Sequence, residues 1–154
     1  MIKSKINTLQ VKIKKLHPGA VIPTYAKHGD AAMDLYAVER GEVDDYDNMV
    51  YKTGLAVEIP HGHVGLLFPR SSVSKTNHIL RNHVGVIDSG YRGEIILKFG
   101  WFSQVKEDSL SSVYGKGDRV GQLMIIPHPQ VDFIEVDELS NSDRGSGGFG
   151  STGQ

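Results

Sequence analysis

Val84-Gly-Val-Ile-Asp-Ser-Gly-Tyr-Arg-Gly-Glu-Ile-Ile-Leu-Lys-Phe99 holds two short apolar runs on either side of a turn-forming segment, Asp88 to Gly93. Runs this short, bounded by Asp, Ser and Gly, have the length of a strand and not of a helix. The stretch therefore reads as a β-hairpin with Asp88 at its tip. The same grammar recurs on both sides. Leu55, Val57 and Ile59 lead into Pro60-His-Gly-His63 and then Val64 to Phe68, which reads as strand, tight turn, strand. Leu9, Val11 and Ile13 alternate with Gln10, Lys12 and Lys14, the period of a strand with one face in a core. Lys116-Gly-Asp118 makes a turn before a strand from Val120 to Ile126, which Pro127 and Pro129 close. Val131 and Phe133 begin a last strand.

Only Ser71 to Leu80 reads as helical, with Ser71 or Ser72 as N-cap. The chain has 18 glycines in 154 residues, above an average usage of about 7%. Many short strands with recurrent turns, and no βαβ alternation, predict an all-β fold: a jelly-roll-like barrel or double sheet with one short helix. The length fits one domain with one core. From Ser140 onward the composition shifts to Ser, Asn, Asp and Gly with a single Phe, too little apolar content for a core element. Residues 1–139 are expected to form the domain and 140–154 a flexible glycine-rich C-terminal arm.

A formal net charge of −1 argues against a sequence-independent nucleic-acid binder, because such a protein needs a basic surplus to displace counterions. Any anion must be held by local donors. With no cysteine there is neither a disulfide scaffold nor a thiolate metal site. The first 15 residues lack the apolar run of a secretory signal, and no run is long enough to span a bilayer. A cytoplasmic protein without membrane contact is the expectation.

Several segments carry chemistry. Gly145, Gly147 and Gly150 match G-x-G-x-x-G, but no strand precedes them and no helix has room to follow. Gly145 and Gly150 also have P-loop spacing, yet Ser151 stands where the lysine belongs. What remains is a glycine-rich backbone whose N–H groups, with Arg144, Ser151 and Thr152, suit an anion, and Phe149 suits a flat base. Pro69-Arg-Ser-Ser72 lies between a strand and the expected helix, where free N–H groups and the Arg70 fork attract phosphate. Asp88, with Tyr91, Arg92 and Glu94 nearby, offers a carboxylate base toward water, since an ordinary aspartate titrates near about 4. Asp34, in Ala31-Ala-Met-Asp-Leu35, has apolar neighbours that predict a buried or half-buried carboxylate. His61 and His63 lack an evident third ligand for a metal. Ser71, His78 and Asp88 lack the sequence context of a nucleophile elbow.

In order along the chain, Ala31 to Ala37, Pro69 to Val73, Gly85 to Glu94, Gly117 to Gln122 and Arg144 to Gly153 resemble the five motifs of the trimeric dUTP pyrophosphatase family. The resemblance implies a jelly-roll-like homotrimer that uses Mg²⁺ to hydrolyse dUTP to dUMP and pyrophosphate. Such an activity limits uracil in DNA and supplies dUMP for thymidylate synthesis. By resemblance, three composite active sites are each assembled from all three chains. Asp88 is the general base that activates water for attack on the α-phosphate. Tyr91 packs on the deoxyribose, and Asn82 with the backbone of Val86 and Ile87 pairs with uracil. Arg70, Ser71, Ser72 and Gln122 hold the phosphates, while Arg144, Phe149, Gly150, Ser151 and Thr152 close over them. Asp34 lies near the water shell of a Mg²⁺ held by the triphosphate, and no direct protein ligand to the metal is expected.

Three positions depart from the family pattern. Ala32 replaces a usual Gly, Ser72 another Gly, and Gly90 a frequent Asp. None removes a group with an implied role. A dCTP deaminase of the same superfamily and a regulatory nucleotide-binding protein are the competing readings, and Asp88 with Ser89-Gly90-Tyr91 favours the hydrolase.

Overall fold

The structure, a computed structural model, describes residues 8–101 and 114–148. Its strands are β1 (Lys12–Lys15), β2 (Met33–Tyr36), β3 (Glu42–Val43), β4 (Met49–Lys52), β5 (Leu55–Glu58), β6 (His63–Phe68), β7 (His78–Leu80), β8 (Gly85–Ile87), β9 (Ile96–Trp101) and β10 (Arg119–Pro127). They form two four-stranded sheets, ordered β2-β10-β6-β8 and β3-β4-β9-β7, and a two-stranded sheet, β1-β5. Every pairing is antiparallel. The expected all-β, jelly-roll-like double sheet is the observed architecture.

Alternation explains the core. Leu35, Leu67, Ile87, Val120 and Leu123 from one large sheet join Met49, Tyr51, Leu80, Leu97 and Phe99 from the other in a single buried cluster. Met49 and Tyr51 on β4, and Leu97 and Phe99 on β9, are buried, while Lys52 and Lys98 on those strands point to solvent. Tyr51 and Phe99 meet edge to ring at 5.8 Å, a favourable quadrupole arrangement. Thr53 is buried without cost to its hydroxyl, which donates to the Ile95 carbonyl at 2.7 Å.

Four local expectations change. Val84–Phe99 is not a hairpin: β8 pairs with β6 in one large sheet, whereas β9 pairs with β4 and β7 in the other. Asp88 to Glu94 is thus a crossover between sheets, because non-local partners capture each strand. The expected helix from Ser71 to Leu80 shrinks to a 3₁₀ helix over Ser71–Lys75, and His78–Leu80 is β7. Ser, Thr and Asn are weak helix formers, and pairing with β9 outweighs their helical option. Its N-cap residue is Arg70, which makes no side-chain cap bond. The first strand begins at Lys12 rather than near Leu9, and Leu9 is exposed. Finally, no strand forms at Val131 and Phe133; among the described residues the stretch 131–139 pairs with no strand, and Phe133 is 92% and Leu139 88% exposed.

No helix among the described residues is long and apolar enough to cross a membrane.

His78 is 4% exposed, its ring centroid 4.4 Å from that of Trp101, and among the described residues neither ring nitrogen has a hydrogen-bond partner. Burial without a partner disfavours the cation and lowers its pKa. As pH falls, the unfolded chain binds the proton first, near about 6.5, so His78 contributes full stability above that pH and loses it below. Thermal unfolding of the parent should therefore show a decline between about pH 7 and about pH 5 that is shallower in His78→Phe, by at most about 1.4 kcal/mol per pH unit.

Candidate active site

Strand β10 builds the polar site and the core together. Its register with β2 places Gln122 opposite Asp34, Gly121 opposite Leu35 and Arg119 opposite Tyr36, leaving Val120 as the extra residue of a bulge. In a regular strand, residues three apart face opposite sides of the sheet. The bulge turns both Arg119 and Gln122 toward Asp34 while Val120 and Leu123 stay buried. Gly121 permits this, since a Cβ there would lie 2.3 Å from Leu97 Cδ2 and 3.0 Å from the Phe68 carbonyl oxygen.

Asp34, with a side chain 12% exposed, accepts three bonds. Arg70 Nε donates to Oδ1 at 3.1 Å, Gln122 Nε2 to the same oxygen at 3.3 Å, and Arg119 Nη1 to Oδ2 at 3.2 Å. The half-buried setting expected for Asp34 is thus observed, and its charge is met by two guanidinium groups. A cleft of about 500 Å³ opens over the cluster, lined also by Lys27 and Asp30. Asp30 Oδ2 accepts from the Lys27 backbone at 2.7 Å and its own N–H returns to the Lys27 carbonyl at 3.2 Å, closing a turn with Gly29 at φ +92°. Three cations against two carboxylates leave the cleft net positive, suited to a polyanion although the whole chain is near neutral.

The crossover carries a second group of residues. Asp88 and Tyr91 are exposed, and the Tyr91 N–H donates to the Asp88 carbonyl at 3.0 Å. Tyr91 Oη donates to the Glu94 carbonyl at 2.9 Å, and its ring lies so close over Gly93 that no Cβ fits there. Glu94 Oε1 accepts from the Gly54 backbone N–H at 2.7 Å, bracing the crossover against the β4–β5 turn. Strand β8 is the sheet edge; Val86 is exposed and Ile87 buried, and the other edge of β8 has no strand partner among the described residues. Asn82 is exposed and contacts the edge through Gly85, where a Cβ would come 3.3 Å from its Nδ2.

Arg70, Gln122 and Asp34 therefore come together. Ser71 is exposed and Ser72 half-buried at the start of the 3₁₀ helix beside Arg70. Among the described residues, no hydrogen bond or ion pair joins Asp88, Tyr91, Asn82 or Arg144 to the Asp34 cluster. Arg144 Nε donates to the Gly147 carbonyl at 3.0 Å within the arm. Phe149, Gly150, Ser151 and Thr152 lie outside the described residues.

A family model for dUTPase matches residues 19–153, nearly the whole chain and all five motif segments. The chain belongs to the dUTPase family. Among curated dUTPase-family relatives, the deoxyuridine 5'-triphosphate nucleotidohydrolase of Picosynechococcus sp. is 38% identical over 146 residues, covering 94% of this chain and 99% of its own. The one from Thermobifida fusca is 38% identical over 148 residues, covering 95% and 80%. Among solved dUTPase structures, that of Staphylococcus bacteriophage 80alpha with dUpNHpp superposes with a TM-score of 0.77 at 31% identity, covering 96% of this chain and 100% of the other. A mutant dUTPase of phage phi11 of S. aureus, whose structure describes the coordination of a structural Mg(II) ion, matches with a TM-score of 0.65 at 25% identity, covering 84% and 98%.

Arg119, Gly121 and the Glu94 brace were not legible as site residues, although a glycine between two polar strand residues three apart is the signal of a bulge. The Asp34 cluster depends on that bulge, so Gly121→Ala should lower stability by about 1–3 kcal/mol through overpacking against Leu97, measured by urea unfolding.

Proposed function

We propose that the protein hydrolyses dUTP to dUMP and pyrophosphate, with Asp88 as the general base. The observation that carries this reading is the positive cleft in which Arg70, Arg119 and Gln122 converge on Asp34 in a chain of the dUTPase family. Asp88 takes a proton from water as that oxygen bonds to the α-phosphorus. The bond from that phosphorus to the bridging oxygen breaks, and pyrophosphate leaves. Arg70, Ser71, Ser72 and Gln122 hold the phosphates against the developing charge. Tyr91, fixed by Gly93 and Glu94, supports the deoxyribose and crowds out a 2′-hydroxyl. Asn82 and the free edge of β8 at Val86 and Ile87 pair with uracil. Arg144, Phe149, Gly150, Ser151 and Thr152 close over the phosphates.

Both oxygens of Asp34 already accept bonds, so Asp34 suits hydrogen bonding to water on a Mg²⁺ that the triphosphate chelates. Among the described residues no group of three His, Asp or Glu side chains is placed to hold a metal ion. When bound, Mg²⁺ neutralises phosphate charge.

The working unit is a homotrimer with composite sites. Residues 131–139 expose Val131, Phe133, Ile134, Val136 and Leu139 together, an apolar segment unpaired with any strand among the described residues, which calls for cover by a second copy. Among the described residues, the Asp88 crossover and Arg144 make no bond to the Asp34 cluster, which suits sites completed between chains. Residues 1–139 act as the domain that carries the first four motif segments, and 140–154 as the arm that carries the fifth. A cytoplasmic setting suits a nucleotide hydrolase without cysteine.

With Mg²⁺, pyrophosphate release should be rapid from dUTP and near background from dTTP, dCTP and UTP, and Asp88→Asn should bind dUTP yet lose more than about a hundredfold in turnover. Turnover of all four nucleotides would overturn the specificity, and activity within about tenfold in the variant would move the base elsewhere. Mixing equal amounts of Asp88→Asn protein and protein truncated before Arg144, under subunit exchange, should restore about one quarter of sites if crossover and arm come from different chains. No recovery in trimers that mass measurement proves to be mixed would place both on one chain.

A further inference from the structure

We infer that Arg119 is a positioning residue of the phosphate site, holding one oxygen of Asp34 so that Arg70 keeps its terminal nitrogens free for the polyphosphate. The inference rests on the proposed dUTP hydrolysis and deepens it. Asp34 divides its two oxygens unequally. Oδ1 takes Arg70 Nε at 3.1 Å and Gln122 Nε2 at 3.3 Å, and Oδ2 takes Arg119 Nη1 at 3.2 Å. An arginine beside a free carboxylate prefers two parallel bonds, one to each oxygen. Arg119 occupies Oδ2, so Arg70 is bonded to Asp34 through Nε alone.

The two arginines differ in exposure as this division requires. Both line the cleft, but Arg70, at the start of the 3₁₀ helix, has a side chain 25% exposed, whereas Arg119, the first residue of β10, is 48% exposed. Arg119 reaches Asp34 only because Val120 is the extra residue of the bulge. Without a cation on Oδ2, the Arg70 fork can turn onto both Asp34 oxygens and withdraw a donor from the cleft. The carboxylate charge would then also be offset by one guanidinium rather than two. Both effects weaken polyphosphate binding and leave the proposed base-pairing edge of β8 untouched, since among the described residues Arg119 has no bond to β8 or to the Asp88 crossover.

The test uses the full-length protein with Mg²⁺ and compares Arg119→Gln and Arg119→Lys with the parent. Initial rates give KM and kcat for dUTP, and competition against dUTP gives the affinity for deoxyuridine, which carries no phosphate. Arg119→Gln should raise the dUTP KM about tenfold, a larger effect than any on kcat, with deoxyuridine affinity unchanged. Arg119→Lys, which returns a cation to Oδ2, should bring KM back to within about threefold of the parent. An unchanged KM in Arg119→Gln overturns the inference, as does a parallel loss of deoxyuridine affinity. Should the glutamine variant not fold, Arg119→Lys decides alone, because a rise of tenfold or more in its KM would mean that the guanidinium contacts phosphate directly. Failure of the parent to hydrolyse dUTP in the same assay would fall on the proposed function, not on Arg119.

Discussion

The close approach of Gly121 to Leu97 and to the Phe68 carbonyl is the contact on which the remainder depends. It lets β10 lie between β2 and β6 in one sheet while pressing against β9 of the other, and it sets the bulge at Val120. One face of β10 thereby supplies Val120 and Leu123 to the core, and the other supplies Arg119 and Gln122 to Asp34. Core packing and the donors to Asp34 share one strand. A site built on paired strands in this way holds its donors more rigidly than one built on loops alone.

The crossover from β8 to β9 shows how an exposed segment is made firm without a helix. Glu94 bonds the Gly54 backbone, Tyr91 closes back onto the Glu94 carbonyl, and Gly93 leaves room for the ring. Arg92 adds bonds from Nη1 to the carbonyls of Ser89 at 2.6 Å and Tyr91 at 2.9 Å. Asp88 stays exposed at the head of this braced turn. Gly90 has open space where a Cβ would stand, so its departure from the family's frequent Asp is not forced by packing.

Some of this was legible beforehand because strand alternation and turn chemistry are local properties. Leu97 and Phe99 on β9 and Val120 and Leu123 on β10 are buried, and Asp34, flanked by Met33 and Leu35, is half-buried as its neighbours suggested. The order of five short segments also carried Arg70 and Gln122, which both donate to Asp34 Oδ1. Ser71–Leu80 was misread because one turn of Ser-rich 3₁₀ helix followed by a strand has the same local composition as a weak helix. The hairpin reading failed in the same manner, since a tight turn does not reveal whether its flanking strands pair with each other.

The sequence by itself determined the all-β class, the single core and Asp34, Arg70 and Gln122 as candidate polar residues. These follow from residue type and short-range spacing, which the chain carries at every point. Only the tertiary structure decided which sheet each strand joined, that Arg119 and Gln122 share a face, and that Glu94 braces the crossover. Those outcomes depend on pairings between residues far apart in the chain, such as Gln122 with Asp34 and Glu94 with Gly54. They are fixed by which contacts fit together at close packing, and a one-residue bulge is enough to reverse the face on which a side chain emerges.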